Sequence, residues 1–406
     1  MILSAREVHG TQRRSRRSRD ASSILRVPVP LFDTSTPLAP LRVELHERVA
    51  AVLDDGRFIL GPDVQAFEQE FADYLGVAHV VGVANGTDAL TIALRAAGVR
   101  PGDEVVAPSF TFYASAESIP PTGATPVFCD VDPDSCNVTV ETVRAAVTPR
   151  TKAVIAVDLF GNPAPVGEIR EQTGLPVIED AAQAAGASVD GRRAGSLGTA
   201  ATFSFFPSKN LGCFGDGGAI ATDDDQVAER ARMLRFHGSR DKTTFEEVGY
   251  NSRLDTIQAA VLRVLLPHLD AWTEGRQAAA RAYEQAGLGE LMRTPTVAPG
   301  VQPAWHLFVA RHPDADRLAK ALAQADIQAR AYYRTPIHRQ PAMASWAAGV
   351  ELPVTDELAR TNLALPMSPV LTAEQANQVT EAIRAALTGE PAPQAGGAVE
   401  ASVSEL

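Results

Sequence analysis

Between His79 and Asp180 the chain alternates short apolar runs with segments of helical periodicity, the runs being 79-HVVGVA-84, 104-EVVAPS-109, 126-PVFCDV-131, 153-AVIAVD-158 and 176-PVIED-180. Runs with no polar alternation have no face to offer to water, so each must be covered on both sides, as in a parallel sheet sandwiched by helices. Neighbouring parallel strands need a long crossover. The segment 87-TDALTIALRAAG-98 supplies one, with leucines and alanines at helical spacing and Gly98 as its stop signal. The pattern predicts a doubly wound α/β sheet.

Further on, 225-DQVAERARMLRFHG-238 reads as an exposed amphipathic helix closed by glycine, and 255–287 as a long helix bent at Pro267. That helix bridges to a smaller α+β domain made of 306-HLFVARH-312, the helix 314-DADRLAKALAQAD-326 and a strand over 327-IQARAYY-333. The expected organisation is a large domain over 27–265 and a small one over 266–388. A basic tail over 1–26 and an Ala, Gly, Pro and acid-rich tail over 389–406 are expected to be disordered.

With 406 residues, 45% of them hydrophobic, the chain can bury cores for two domains, and a net charge of −12 argues against a nucleic-acid-binding surface. The basic run 12-QRRSRRSRD-20 is followed by no apolar stretch that would make it an export signal. Cys129, Cys136 and Cys213 have no paired spacing, and the eight histidines form no two-on-one-helix pattern, so neither a disulfide framework nor a metal site is expected. A reducing cytoplasm is the expected location, and no apolar run approaches the ~20 residues that span a bilayer. Neither a P-loop nor GxGxxG follows any strand.

The chemistry concentrates in three places. In 199-TAATFSFFPSKNLGCFGDGGA-219 a single lysine, Lys209, sits among small and aromatic residues. Desolvation there lowers the pKa of an amine and makes it a Schiff-base nucleophile, although most lysines are solvated surface charges. Upstream, 85-NGTDA-89 lies at a strand-to-helix junction, where backbone amides and the Thr87 hydroxyl suit a phosphate as well as they suit simple capping. In 179-EDAAQ-183, Asp180 ends a strand with no solvated face, so its carboxylate needs either an arginine or a protonated pyridine nitrogen. Phosphate site, ring-nitrogen acid and aldehyde-binding lysine, in that order, are what pyridoxal 5'-phosphate requires. Phe112 is placed to stack on its ring and Ser204 to add a phosphate hydrogen bond.

These segments resemble the DegT/DnrJ/EryC1/StrS family of sugar aminotransferases, which have the aspartate aminotransferase-like fold (fold type I). The resemblance runs from about Val27 to Leu387. It is carried by 57-RFILGPDVQAFEQEFADYLG-76, 82-GVANGTDALTIAL-94, 101-PGDEVVAPSFTF-112, 123-GATPVFCDVDP-133, 178-IEDAAQAAGA-187, 204-SFFPSKNLGCFGDGGAI-220, 250-YNSRLDTIQAAVL-262 and 338-HRQPAM-343.

The resemblance implies a mostly parallel seven-stranded sheet in the large domain. It makes Lys209 and Asp180 the catalytic pair, Lys209 bonded to the cofactor aldehyde and Asp180 on the ring nitrogen. Gln183 lies beside the ring oxygen, Gly86, Thr87, Asp88 and Ser204 cradle the phosphate, and Phe112 covers the ring. Asn251 reaches the cofactor of the neighbouring subunit, so the active unit is a homodimer with shared sites. Phe206, Arg334 and His338 are candidates for the sugar pocket, the last two because a cationic segment suits a diphosphate or a sugar carboxylate.

Gln183 and 209-KNLGCFGDGGA-219 look like the branch that aminates C3 of a nucleotide-linked keto sugar, with L-glutamate as donor. A C4-specific or keto-cyclitol aminotransferase shares all cofactor residues. The related 3-dehydratases have histidine where Lys209 stands, and a non-catalytic cofactor-binding regulator would not need the full set. Two departures from the family pattern are Phe206 in place of a common tyrosine and Cys213 in place of a usual alanine.

Overall fold

The computed structural model describes residues 28–389. Its centre is a seven-stranded sheet built from β1 (His79–Val83), β2 (Glu104–Pro108), β3 (Thr125–Cys129), β4 (Thr151–Val157), β5 (Val177–Asp180), β8 (Ala200–Ser204) and β9 (Gly218–Thr222). Two short strands, β6 (Ser188–Val189) and β7 (Arg192–Arg193), form a hairpin between β5 and β8. The sheet order is β1-β9-β8-β5-β4-β2-β3, and every neighbour pair is parallel except those made by β9, which runs against both β1 and β8.

All five runs expected from the sequence are strands of this sheet. The sheet has the seven strands that the family resemblance implies, but the apolar pattern does not locate β8 and β9, because 200-AATFS-204 and 218-GAIAT-222 are written mostly in Ala, Gly and Thr rather than in long branched residues. Small side chains are what their position demands. A Cβ on Gly218 would stand 2.5 Å from the Asn85 carbonyl oxygen, so β9 can press against the start of the helix Gly86–Ala96 only as glycine.

Helices cover both faces, as the apolar runs require. One face carries Leu90, Ile92, Leu94, Val106, Ile155 and Ile178 in a single core; the other carries Phe67, Phe71, Phe203, Phe205, Leu262 and Leu265. The expected long helix is present as Thr256–Leu265 and Leu269–Gln285, joined at Pro267 by the single turn Leu266–His268. The turn of the β6–β7 hairpin is 190-DG-191, with Asp190 at φ 50° and Gly191 at φ 80°, the pair of positive values that a tight hairpin turn needs. The hairpin is extended by β10 (Val301–Gln302).

A third core gathers Tyr283, Phe308, Leu318, Leu322, Leu363 and Ile383 around β11 (Phe308–Arg311) paired antiparallel with β12 (Asn362–Leu365). Val29 joins this core and bridges to Ile327, while Leu31, two residues on, packs in the core of the sheet. The strand expected over 327–333 is not formed. Only the single bridges Val29 to Ile327 and Arg330 to Ala364 occur there, because the segment turns away from β12 to bring Tyr333 against Phe110 and Phe160. The two expected tails lie outside the described residues, apart from Gly389, which caps the last helix.

Candidate active site

The carboxyl ends of β5 and β8 meet the amino end of the helix Gly86–Ala96 at one place in the molecule. Asn85 caps that helix by accepting the Asp88 amide at 2.8 Å, leaving the first-turn amides of Gly86 and Thr87 with no carbonyl one turn back. A Cβ on Gly86 would lie 2.8 Å from the Ser204 Cβ. Ser204 is therefore seated directly on the helix start, beside the first-turn amides of Gly86 and Thr87 at a positive helix terminus, while the Asp88 amide is taken by the Asn85 cap. Such a cradle of amides and a hydroxyl takes an anion.

Asp180 is 5% exposed and accepts the Ser115 hydroxyl at 2.8 Å and the Ala182 amide at 3.3 Å. Burial pushes its carboxyl up, while the Ser115 hydrogen bond and the charge of Lys209 pull it down. Lys209 stands on the connection between β8 and β9, its amide bonded to the Phe206 carbonyl at 2.8 Å. Burial brings its amine down to about 8, against the opposing pull of Asp180. A neutral amine is thus available close to neutral pH beside a carboxylate that lacks an arginine. The alternative of structural pairing for Asp180 finds no support here, since its side-chain partners are Ser115 and the Ala182 amide, with the charge of Lys209 close by.

Gln183 is locked from both ends: its Oε1 accepts the Phe160 amide at 2.8 Å and its Nε2 donates to the Tyr333 hydroxyl at 3.3 Å. Tyr333 packs on Phe110, Phe112 and Phe160 with ring centroids 6.1 to 6.5 Å apart. Tyr333, Phe160 and Ser115 were missed in the sequence. Tyr333 lies in 330-RAYYRTPIHRQ-340, a segment dominated by its charges, and Ser115 in 109-SFTFYASA-116, a segment dominated by its aromatics.

Lys209, Asp180, Gln183, Gly86, Thr87, Asp88 and Ser204 are brought to this end of the sheet. Phe112 is half exposed and tilted 43° on Tyr333, and Phe206 is half exposed next to the lysine turn. Asn251 is exposed and bridges to Phe236. Arg334 and His338, expected in the sugar pocket, take their hydrogen bonds within their own surroundings. The Arg334 guanidinium is used within the small layer, donating to the Ala359 and Arg360 carbonyls and to Asp316. His338 is buried, its Nδ1 2.7 Å from the Ser109 hydroxyl and its Nε2 3.5 Å from Asp356, and burial lowers its pKa. Arg339 pairs with Asp356 at 2.7 Å.

Among the described residues no cluster of metal-ligating side chains occurs, the three cysteines are free and buried, and no helix is long and apolar enough to cross a membrane.

A lysine at the carboxyl end of a mostly parallel sheet, near a buried aspartate and a helix amino end, suits an aminotransferase. The chain belongs to the DegT/DnrJ/EryC1/StrS aminotransferase family, whose model matches residues 41–384. It is similar to a dTDP-3-amino-3,4,6-trideoxy-alpha-D-glucose transaminase of Streptomyces venezuelae, 46% identical over 362 residues that cover 88% of this chain and 95% of that one. It is equally similar to a pleiotropic regulatory protein of Geobacillus stearothermophilus, 46% identical over 363 residues covering 87% and 97%. Among solved structures it resembles the S. venezuelae DesV protein in complex with a ketimine intermediate, with TM-score 0.84, 45% identity, and coverage of 88% of this chain and 98% of that one.

Proposed function

We propose that this enzyme moves an amino group from L-glutamate to C3 of a nucleotide-linked keto sugar, using pyridoxal 5'-phosphate held at the carboxyl ends of β5 and β8. The observation that carries the reading is the Lys209 amine, brought by burial to about 8, set beside the arginine-free carboxylate of Asp180 and the anion cradle of Gly86 and Ser204. The residues fit the cofactor on their own chemistry. Asp180 is a buried carboxylate that needs a cationic N–H partner, the cradle needs an anion, and Lys209 is a nucleophile without an ion-pair partner at bonding distance among the described residues.

When bound, the cofactor supplies an electron-poor ring that stabilises negative charge at the carbon attached to the transferred nitrogen. Asp180 would hold the proton on the ring nitrogen. Thr87, Ser204 and the amides of Gly86 and Thr87 would hold the phosphate. Gln183, fixed by Phe160 and Tyr333, would lie beside the ring oxygen. Lys209 Nζ would carry the proton from the α-carbon of glutamate to the cofactor carbon bonded to the transferred nitrogen within one half-reaction and would run the same transfer in reverse, onto the sugar carbon, in the other, serving as nucleophile and as general base and acid. Remote contacts to the nucleotide hold the sugar ketone in place while this happens. The name of the S. venezuelae relative supports C3 as the aminated carbon. Asn251, exposed in a single chain, supports a homodimer in which it completes the partner's site.

The name of the G. stearothermophilus relative favours a second reading, a regulator that binds the cofactor without turnover. The absorbance spectrum of the purified protein decides between them. In the proposed function the visible band of the lysine-bound cofactor is bleached by L-glutamate and is missing from Lys209→Ala. A band that no amino donor changes supports the regulator.

A further inference from the structure

Behind the active-site aspartate lies a second acidic group that the proposed reaction does not use. Successive residues of a strand point to opposite faces, so Glu179 projects from β5 on the side away from Asp180. Asp158 follows β4 and lies on that same side, since Ala156 pairs with Glu179 and Val157 with Asp180. Asp158 and Glu179 are both 0% exposed. Two carboxylates in hydrogen-bonding reach inside a protein cannot both be ionised, because each charge is desolvated and repelled by the other.

The hydrogen bonds decide which of them is neutral. Glu179 accepts three backbone amides, Gly195 at 2.6 Å, Leu197 at 3.0 Å and Gly198 at 3.2 Å, which is the environment of a carboxylate. Asp158 accepts one, Ala164 at 2.9 Å through Oδ1, while its Oδ2 is buried and has no donor among the described residues. The charged groups that act on Asp158 are Glu179, on the same face, and, more weakly from the opposite face, Asp180, both acidic and both on the adjacent strand. A proton on Oδ2 satisfies both oxygens at once. Burial and the Glu179 charge act in the same direction, raising Asp158 well above the ordinary carboxylate range.

We propose that Asp158 is a neutral carboxylic acid that donates Oδ2–H to the Glu179 carboxylate, and that this shared proton makes Asp158 the positioning residue for the 158–164 turn and so for Gln183. The turn carries the Phe160 amide that holds Gln183 Oε1 at 2.8 Å, the Phe160 carbonyl that accepts Leu307, and the Gly161 carbonyl that accepts Ala304 at 2.8 Å. It joins the sheet, the cofactor side and the segment leading into the small layer. The link to Gln183 rests on the proposed function; the shared proton does not.

Infrared spectra of the purified protein near neutral pH test the proton directly. The carbonyl stretch of a buried carboxylic acid is expected in the wild type and absent from Asp158→Asn; a wild type without that band, or a variant that keeps it, overturns the proposal. Urea unfolding at a series of pH values gives a second readout. A raised native pKa means that the folded state keeps a proton the unfolded chain has lost. The wild type therefore loses stability relative to Asp158→Asn as pH rises above the ordinary aspartate range, tenfold in the unfolding constant per pH unit until Asp158 itself ionises. Parallel slopes overturn it.

The positioning role is read from amino transfer. Asp158→Asn presents an amide donor to Glu179 and a carbonyl to Ala164, and is expected to restore most of the rate lost in Asp158→Leu. Equal losses in both variants, with the infrared band present, overturn the positioning role and leave the proton standing.

Discussion

At Lys209 two opposing effects set the chemistry. Burial favours the neutral amine and Asp180 favours the charged one, and burial wins by enough to bring the group to about 8. The neutral amine is the species that attacks an aldehyde. The rate at which the cofactor-free enzyme recombines with pyridoxal phosphate is therefore expected to rise with pH and level off above about 8, as measured by stopped-flow absorbance. A rate flat from acid to alkaline pH would contradict the position of Lys209. Asp180 makes the complementary case. Asp180→Asn keeps the size and the Ser115 contact but not the charge, and it is expected to lower kcat on the order of 10²-fold or more with little change in folding. Both residues were legible in the sequence because a lone lysine among aromatics and an acid closing an apolar strand are local anomalies. Ser115 and Tyr333 were not legible, for the opposite reason: each is an ordinary residue in its own segment and acquires a role only through a contact made 65 or 150 positions away.

The elements that position the site depend on close backbone approach more than on long apolar side chains. The helix Gly86–Ala96, with its cap, its leucine periodicity and its Gly98 stop, could be read from the sequence. The strands β8 and β9 beside it could not, because their small residues are chosen to let two strands and a helix terminus touch. In Gly86→Ala the added methyl would meet the Ser204 Cβ at 2.8 Å, inside any real contact distance, and either the helix or β8 must shift. That overpacking is expected to cost about 1–3 kcal/mol in urea unfolding and to loosen the anion cradle. Faster loss of cofactor on dialysis than in the wild type, with dialysis followed by absorbance, is the matching functional outcome. Wild-type stability and retention in this variant would mean that Ser204 is not fixed against the helix start.

For the whole molecule the outstanding feature is what a single chain leaves uncovered. Phe112, Phe206, Phe214, Phe245 and Val248 are all more than half exposed, and Asn251 stands exposed near the last two in sequence. Large apolar side chains left in water are candidates for a surface that, in the proposed homodimer, the second copy would cover. If Asn251 serves the partner's cofactor, Lys209→Ala and Asn251→Ala are each inactive in their own homodimers but not when combined. In a hybrid dimer one site receives both defects and the other receives neither. Random exchange of subunits makes about half of the dimers hybrids, each with one intact site of two, so about a quarter of the wild-type activity should return on mixing. Were each Asn251 to act within its own chain, every site in the mixture would keep one defect. No activity would then return, although sedimentation would still report a dimer.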